Sequence, residues 1–145
     1  MPRAVESVVV KAPLDTVWEL LIDKAENPQR YLEGILDFRI LDRGEGWILR
    51  EMELAGAQWL RERVDLDPGQ RRMTFRLEDH PAFEGTVINQ VSPHSPGAVT
   101  LTFEMDWVAK QGAGTVSGNP AELIHGALGR TREIAEELVK AAEQP

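Results

Sequence analysis

Residues 4–11 (AVESVVVK) read as a strand, and after Pro13 the apolar positions change period: Leu14, Val17, Trp18, Leu21 and Ile22 fall at helical spacing. A second short helix is expected at Asn27-Pro28, where Asn27 suits a cap, Pro28 the first turn and Gly34 the end. From Ile35 to Ala109 the alternation is that of strands. It is broken at residues 43–46, 55–57, 67–69, 79–81 and 92–97, each rich in Gly, Pro, Asp or Ser, which gives six further strands. Beyond the linker QGAGTVSG, Asn119-Pro120 with Glu122 makes a capped start for a long helix to about Glu143. Its apolar stripe is Ile124, Ala127, Leu128, Ile134, Ala135, Leu138 and Ala142.

Consecutive hairpins imply an antiparallel sheet whose apolar face needs a cover, and the C-terminal helix is the long element able to supply it. Centring one hairpin on Gly56 sets Ile48 opposite Val64, Met52 opposite Leu60 and Arg50 opposite Glu62. Closing the next at Pro68-Gly69 sets Glu62 opposite Phe75, Val64 opposite Met73 and Leu60 opposite Leu77, with Gly85 laterally beyond Phe75. The same inward face then takes in Phe83, Val87, Val91, Val99, Leu101, Phe103, Met105 and Trp107. Its clear polar members are Arg50, Glu62 and Asn89. An ionised carboxylate on such a face is costly unless paired, and Arg50 is its expected partner.

Charge and composition narrow the function. The 24 acidic against 16 basic residues give a net charge of -8, and the basic pairs are flanked by acids. A nucleic-acid or anionic-membrane partner needs a continuous positive field, which this chain lacks. The absence of cysteine excludes disulfides, thiol nucleophiles and thiolate metal sites, and no apolar stretch approaches the roughly 18 residues of a membrane span. A cytoplasmic protein with one domain over residues 1–145 is expected. His80, His94 and His125 stand far apart with no ligand-spaced acid, so no metal and no cofactor are expected.

The stretches VVVKAPLDTVWELLIDKAENPQRYLEGI, REMELAGAQWLRERVDL, FEGTVINQV and LTFEMDW, in that order over residues 3–143, resemble the START-like (SRPBCC) superfamily and more narrowly its AtaL-like branch. That resemblance implies an α+β helix-grip fold: a curved seven-stranded antiparallel sheet, with two short helices after strand 1, wrapped around a long C-terminal helix. It also implies an apolar cavity between sheet and helix for a hydrophobic or aromatic small molecule. The superfamily includes lipid carriers, hormone-binding proteins, polyketide cyclases and chaperone activators, so the fold does not choose among binding and catalysis.

Ligand binding is assigned to Arg50, Glu62, Asn89, Phe75, Gly85, Met105, Trp107 and Phe103. Each has a plainer alternative. Arg50 and Glu62 are either a ligand anchor or an ion pair bracing two strands, and Asn89 holds either a ligand or backbone groups near the sheet end. Gly85 marks either space or a bulge. The leading reading is a protein that binds an aromatic, polyketide-like or lipid-like molecule. One alternative is a polyketide cyclase or dehydratase with Glu62 as general base and Arg50 stabilising an enolate. Another is an interaction module that forms a homodimer through Trp47 and Trp59 on the outer face.

Overall fold

The structure, a computed structural model, describes residues 3–31, 35–54, 58–80, 83–109 and 120–143. Strand β1 (Arg3–Val10) leads to helix α1 (Leu14–Glu26) and a 3-10 turn (Pro28–Arg30). Strands β2 (Ile35–Gly44), β3 (Trp47–Leu54), β4 (Gln58–Asp67), β5 (Arg72–Leu77), β6 (Phe83–Ser95) and β7 (Ala98–Ala109) follow, and helix α2 (Pro120–Glu143) ends the fold. The seven strands form one antiparallel sheet in the order β1-β7-β6-β5-β4-β3-β2. The chain thus enters at one edge, crosses to the other through α1, and returns strand by strand to pair β7 with β1. Helix α2 packs on β1 and β7, where Glu136 accepts from the Lys11 backbone N–H at 3.0 Å.

Helix α1 forms where the sequence places it, with Val17, Trp18, Leu20, Leu21 and Ala25 buried against the sheet. The second expected helix is a correction: only a single 3-10 turn follows, and Asn27 makes no side-chain cap on it. Asn27 instead donates from Nδ2 to Asp23 Oδ1 at 2.9 Å, which ties it back to α1. Gly34, the turn around Gly56, the linker 111–118 and Asn119 lie outside the described residues, as do the side chains of Phe83, Glu122, Ile124, His125, Ala127 and Ala142.

The β3–β4 register is the expected one, with Ile48 opposite Val64, Arg50 opposite Glu62 and Met52 opposite Leu60. The β4–β5 register is displaced by two residues. Glu62 faces Leu77 rather than Phe75, Val64 faces Phe75, and Leu66 faces Met73. Proline holds φ near −65°, which bars Pro68 from the positive-φ first corner of a two-residue hairpin. The chain closes instead through four residues between the paired Asp67 and Arg72. Arg71 sits at φ 52°, and its backbone N–H bonds to the Pro68 carbonyl. A shift of two residues keeps every side chain on its expected face, so the apolar inner face survives the error.

Strand β6 also runs further than expected, through Ser92 and Pro93 to Ser95. A register shift between Pro93 and Ser95 absorbs the proline, and the turn lies at Pro96-Gly97, where Gly97 has φ 77°.

Two apolar clusters result. The larger joins α1, the α2 residues Leu128 and Ala135, and the inner face of the sheet from Ile48 and Val64 to Phe103 and Met105. The smaller comprises Met52, Leu60 and Leu77, flanked by Ile35 and Phe38. Trp107 packs against both. Arg50 lies between Ile48 and Met52 on β3, and Glu62 between Leu60 and Val64 on β4. This charged pair therefore marks the seam where the clusters part.

Candidate functional site

Directly opposed residues on neighbouring antiparallel strands bring their side chains together, and Arg50 Nη2 lies 2.9 Å from Glu62 Oε1 with both side chains under a tenth exposed. Arg50 Nη1 turns the other way. It donates to the backbone oxygens of Ala25 at 2.9 Å and Lys24 at 3.4 Å. These carbonyls belong to the last turn of α1, where no intrahelical donor remains, so the guanidinium caps the helix while Glu62 balances its charge. Its Cζ stands 4.8 Å from the Phe75 ring centre.

A second buried cation completes the site. Lys24 is three residues beyond Leu21 and seven beyond Val17, which puts it on the apolar stripe of α1 rather than on its solvent face. Its Nζ donates to Asn89 Oδ1 at 2.7 Å and stands 3.9 Å from the Phe103 ring centre and 5.3 Å from that of Phe75. Loss of hydration, and then the positive charge of Arg50, lower its pKa to about 7, against the opposite pull of Glu62. The site is therefore built from four elements: Lys24 on α1, Arg50 on β3, Glu62 on β4 and Asn89 on β6, with phenyl rings from β5 and β7 beneath the amine.

Asn89 is fully buried in the middle of β6, paired with Met73 and Phe103, rather than near the sheet end. Its Nδ2 and the Nε of Arg50 are buried donors without an acceptor among the described residues. Phe75, Phe103 and Met105 are buried in the larger cluster, and the two phenyl rings stand beside these polar groups. Gly85 faces Trp107 across the β6–β7 ladder at φ 135°, and the register runs through it unbroken. A Cβ there would collide with the Asp106 carbonyl oxygen and stand 2.8 Å from Trp107 Cα. The glycine is thus required by backbone conformation and close approach, not by a bulge.

Beyond Lys24, the sequence reading passed over Glu6, which stands opposite Phe103 on the inner face of β1, and the buried Thr131, and it weighed His80 only as a metal ligand in a turn, whereas the structure buries it. A separate open groove of about 500 Å³ lies between the 3-10 turn and α2, lined in part by Gln29, Arg30, Arg130, Ile134 and Leu138. None of the eight ligand-binding candidates lines it. Trp47 and Trp59 sit at opposite ends of the β3–β4 ladder, stacked under Arg63 and Arg39 respectively. Between them lies Glu51, which accepts from both Arg39 and Arg61 and is held below the usual carboxylate range by those bonds. The two indoles therefore do not make one apolar patch.

Among the described residues no cluster of three His, Cys, Asp or Glu side chains could hold a metal ion, and no helix is long and apolar enough to cross a membrane.

The fold is similar to that of the Zhui aromatase/cyclase from Streptomyces sp. R1128, at 23% identity and a TM-score of 0.82 over 99% of this chain and 98% of that one. It is also similar to TTHA0849 from Thermus thermophilus, at 16% identity and a TM-score of 0.74 over 99% and 100% of the two chains. The di-domain ARO/CYC BexL from the BE-7585A biosynthetic pathway aligns at 22% identity and a TM-score of 0.69, over 97% of this chain and 48% of that one. No curated protein matches the chain. Its residues 7–140 match the profile of AtaL, acetylaranotin biosynthesis cluster protein L, and the chain belongs to that family.

Proposed function

We propose that the protein is a single START-like domain over residues 1–145 that binds an apolar, ring-containing or acyl-chain small molecule, its polar end held where Arg50, Glu62, Asn89 and Lys24 converge. The observation that carries this reading is the pair of buried donors, Asn89 Nδ2 between Met73 and Phe103 and Arg50 Nε at the seam between two apolar clusters, that have no acceptor among the described residues. Buried donors are nearly always satisfied, and a ligand oxygen is the group that would satisfy these. Phe75, Phe103, Met105 and Trp107 supply the apolar and aromatic contacts, and the fold likeness to an aromatase/cyclase favours a polyketide-like ring system over a simple lipid.

A thermal-shift screen against fatty acids, sterols, flavonoids and aromatic polyketides tests the reading. A ligand at about 100 times its dissociation constant adds roughly 2.7 kcal/mol, which raises the midpoint by roughly 5–10 °C in a domain of this size. Asn89→Leu removes the amide donor and is expected to abolish that rise. A rise that survives the substitution would place the ligand elsewhere, with the groove beside α2 the next site to test.

A second reading, a cyclase or dehydratase with Glu62 as general base and Arg50 stabilising an enolate, gains support from the proximity of a titratable amine to the pair. It predicts that Glu62→Gln retains binding while turnover falls about 100-fold or more, the scale of a lost general base. Equal losses in binding and turnover would count against it.

A further inference from the structure

The polar end of the ligand can be specified further, and this step rests on the binding reading above. We propose that it is an acidic hydroxyl, a phenol or an enol, which enters neutral, transfers its proton to Lys24 and is bound as the oxyanion. The O–H bond breaks, an N–H bond forms at Nζ, and no electrons leave or enter the site.

The donor inventory points to an oxygen with lone pairs to give. Asn89 Nδ2 and Arg50 Nε both seek acceptors. The amide orientation is fixed by the bond from Nζ to Oδ1, which leaves Nδ2 as the free end of the side chain. The acidic member of the site, Glu62, already gives Oε1 to Arg50, and those two charges cancel.

Lys24 is the group whose charge can change to match the ligand. Its amine lies in an apolar setting over Phe75 and Phe103, and the charged groups whose fields reach it are Arg50 on β3 and Glu62 on β4. Poised near neutrality, it has a substantial neutral fraction with a lone pair able to take a proton.

The class of ligand follows from the cost of burial. A permanent anion must shed its hydration before it reaches the site, which is expensive in an apolar interior. A ketone brings no proton, so Lys24 plays no part in distinguishing it. A hydroxyl that ionises near neutrality avoids both faults. It crosses the apolar region uncharged, then forms an oxyanion and an ammonium whose charges cancel, with Nδ2 of Asn89 as a further donor.

The test uses 4-nitrophenol, whose phenolate absorbs at longer wavelength than the phenol. Equilibrium dialysis against the whole chain measures binding, and a pH titration of the bound dye's absorbance reports its ionisation. The expected result is bound dye that titrates about 1–3 pH units below the free dye, the scale of an opposite charge within hydrogen-bonding reach. In Lys24→Met the bound dye is expected to titrate at or above the free value. Where that variant does not fold, the wild-type titration decides alone. Dye that binds as the neutral phenol, or that does not bind at all, overturns this inference, and the binding reading falls only if the thermal-shift screen is silent as well.

Discussion

Lys24 Nζ lies 2.7 Å from Asn89 Oδ1, which joins the last turn of α1 to the middle of β6 across an interior where the Phe103 and Phe75 rings flank the amine. The bond occupies one of the ammonium's three N–H donors and does not replace its hydration. The ammonium therefore loses its proton about where a histidine would.

A pH-dependent stability follows. Between about pH 7 and 10.5 the unfolded chain holds a proton on Lys24 that the folded chain has released, so stability rises with pH through that window. Below pH 7 both states are protonated and the folded state bears the full cost of the buried charge. Lys24→Met removes that cost. Relative to wild type, the variant is expected to gain most below pH 7, by roughly a few kcal/mol, with the advantage shrinking as pH approaches 10. Urea unfolding of both proteins at pH 6, 8 and 9.5 measures this, and a difference independent of pH would show that Lys24 does not titrate in this window.

The Arg50–Glu62 pair predicts unequal losses from its two members. Arg50→Met leaves Glu62 buried without its partner and strips the donor from the Lys24 and Ala25 carbonyls, so it is expected to cost about 3–5 kcal/mol. Glu62→Leu leaves Arg50 its two carbonyl acceptors and is expected to cost less. The double variant is expected to be more stable than Arg50→Met alone, because no unpaired charge remains. Denaturant midpoints of the three variants form the cycle, and strictly additive losses would show that the pair is not coupled.

Legibility in the sequence followed from which physical signal carried each element. The period-2 alternation fixed which face each strand residue takes, and it placed Arg50 opposite Glu62 correctly because the short β3–β4 connection left few registers open. The same alternation cannot distinguish registers two residues apart. The pairing of Glu62 with Leu77 therefore depended on how Pro68 bends the chain.

Lys24 was missed although its signal was present. It continues the stripe Val17, Leu21 by one helical turn, but a lysine at the end of a helix reads as a solvated cap until the sheet beneath it is known. Asn89 was legible as inward, yet its partner lies 65 residues away on a different element, a distance that no local pattern reports.

Gly85 offers a test that separates backbone from cavity. With φ at 135° and no room for a Cβ beside Asp106 and Trp107, Gly85→Ala is expected to destabilise the fold by about 1–3 kcal/mol whether or not a ligand is present. Thermal melts of the variant with and without ligand check this. A variant as stable as wild type but unable to bind would assign the glycine to ligand space instead.

The end of α1 is held by a second network, in which Asp23 accepts from Asn27 Nδ2 at 2.9 Å, Arg30 Nη1 at 2.8 Å and the Tyr31 hydroxyl at 2.8 Å. Burial, and then the bond to Asp23, hold the Tyr31 hydroxyl well above the usual phenol range. An unfolded tyrosine ionises near pH 10, so above that value the unfolded chain loses a proton that the folded chain keeps, and stability falls as pH rises. The sequence contains one tyrosine, which lets phenolate absorbance report on Tyr31 alone. That absorbance is expected to appear only together with unfolding in the wild type. In Asp23→Ala, which leaves the hydroxyl buried without its acceptor at a cost of about 1–3 kcal/mol, unfolding and ionisation are both expected at lower pH. Phenolate signal at pH 10 from a folded wild-type protein would mean that the hydroxyl is open to solvent and that Asp23 does not organise the turn after α1.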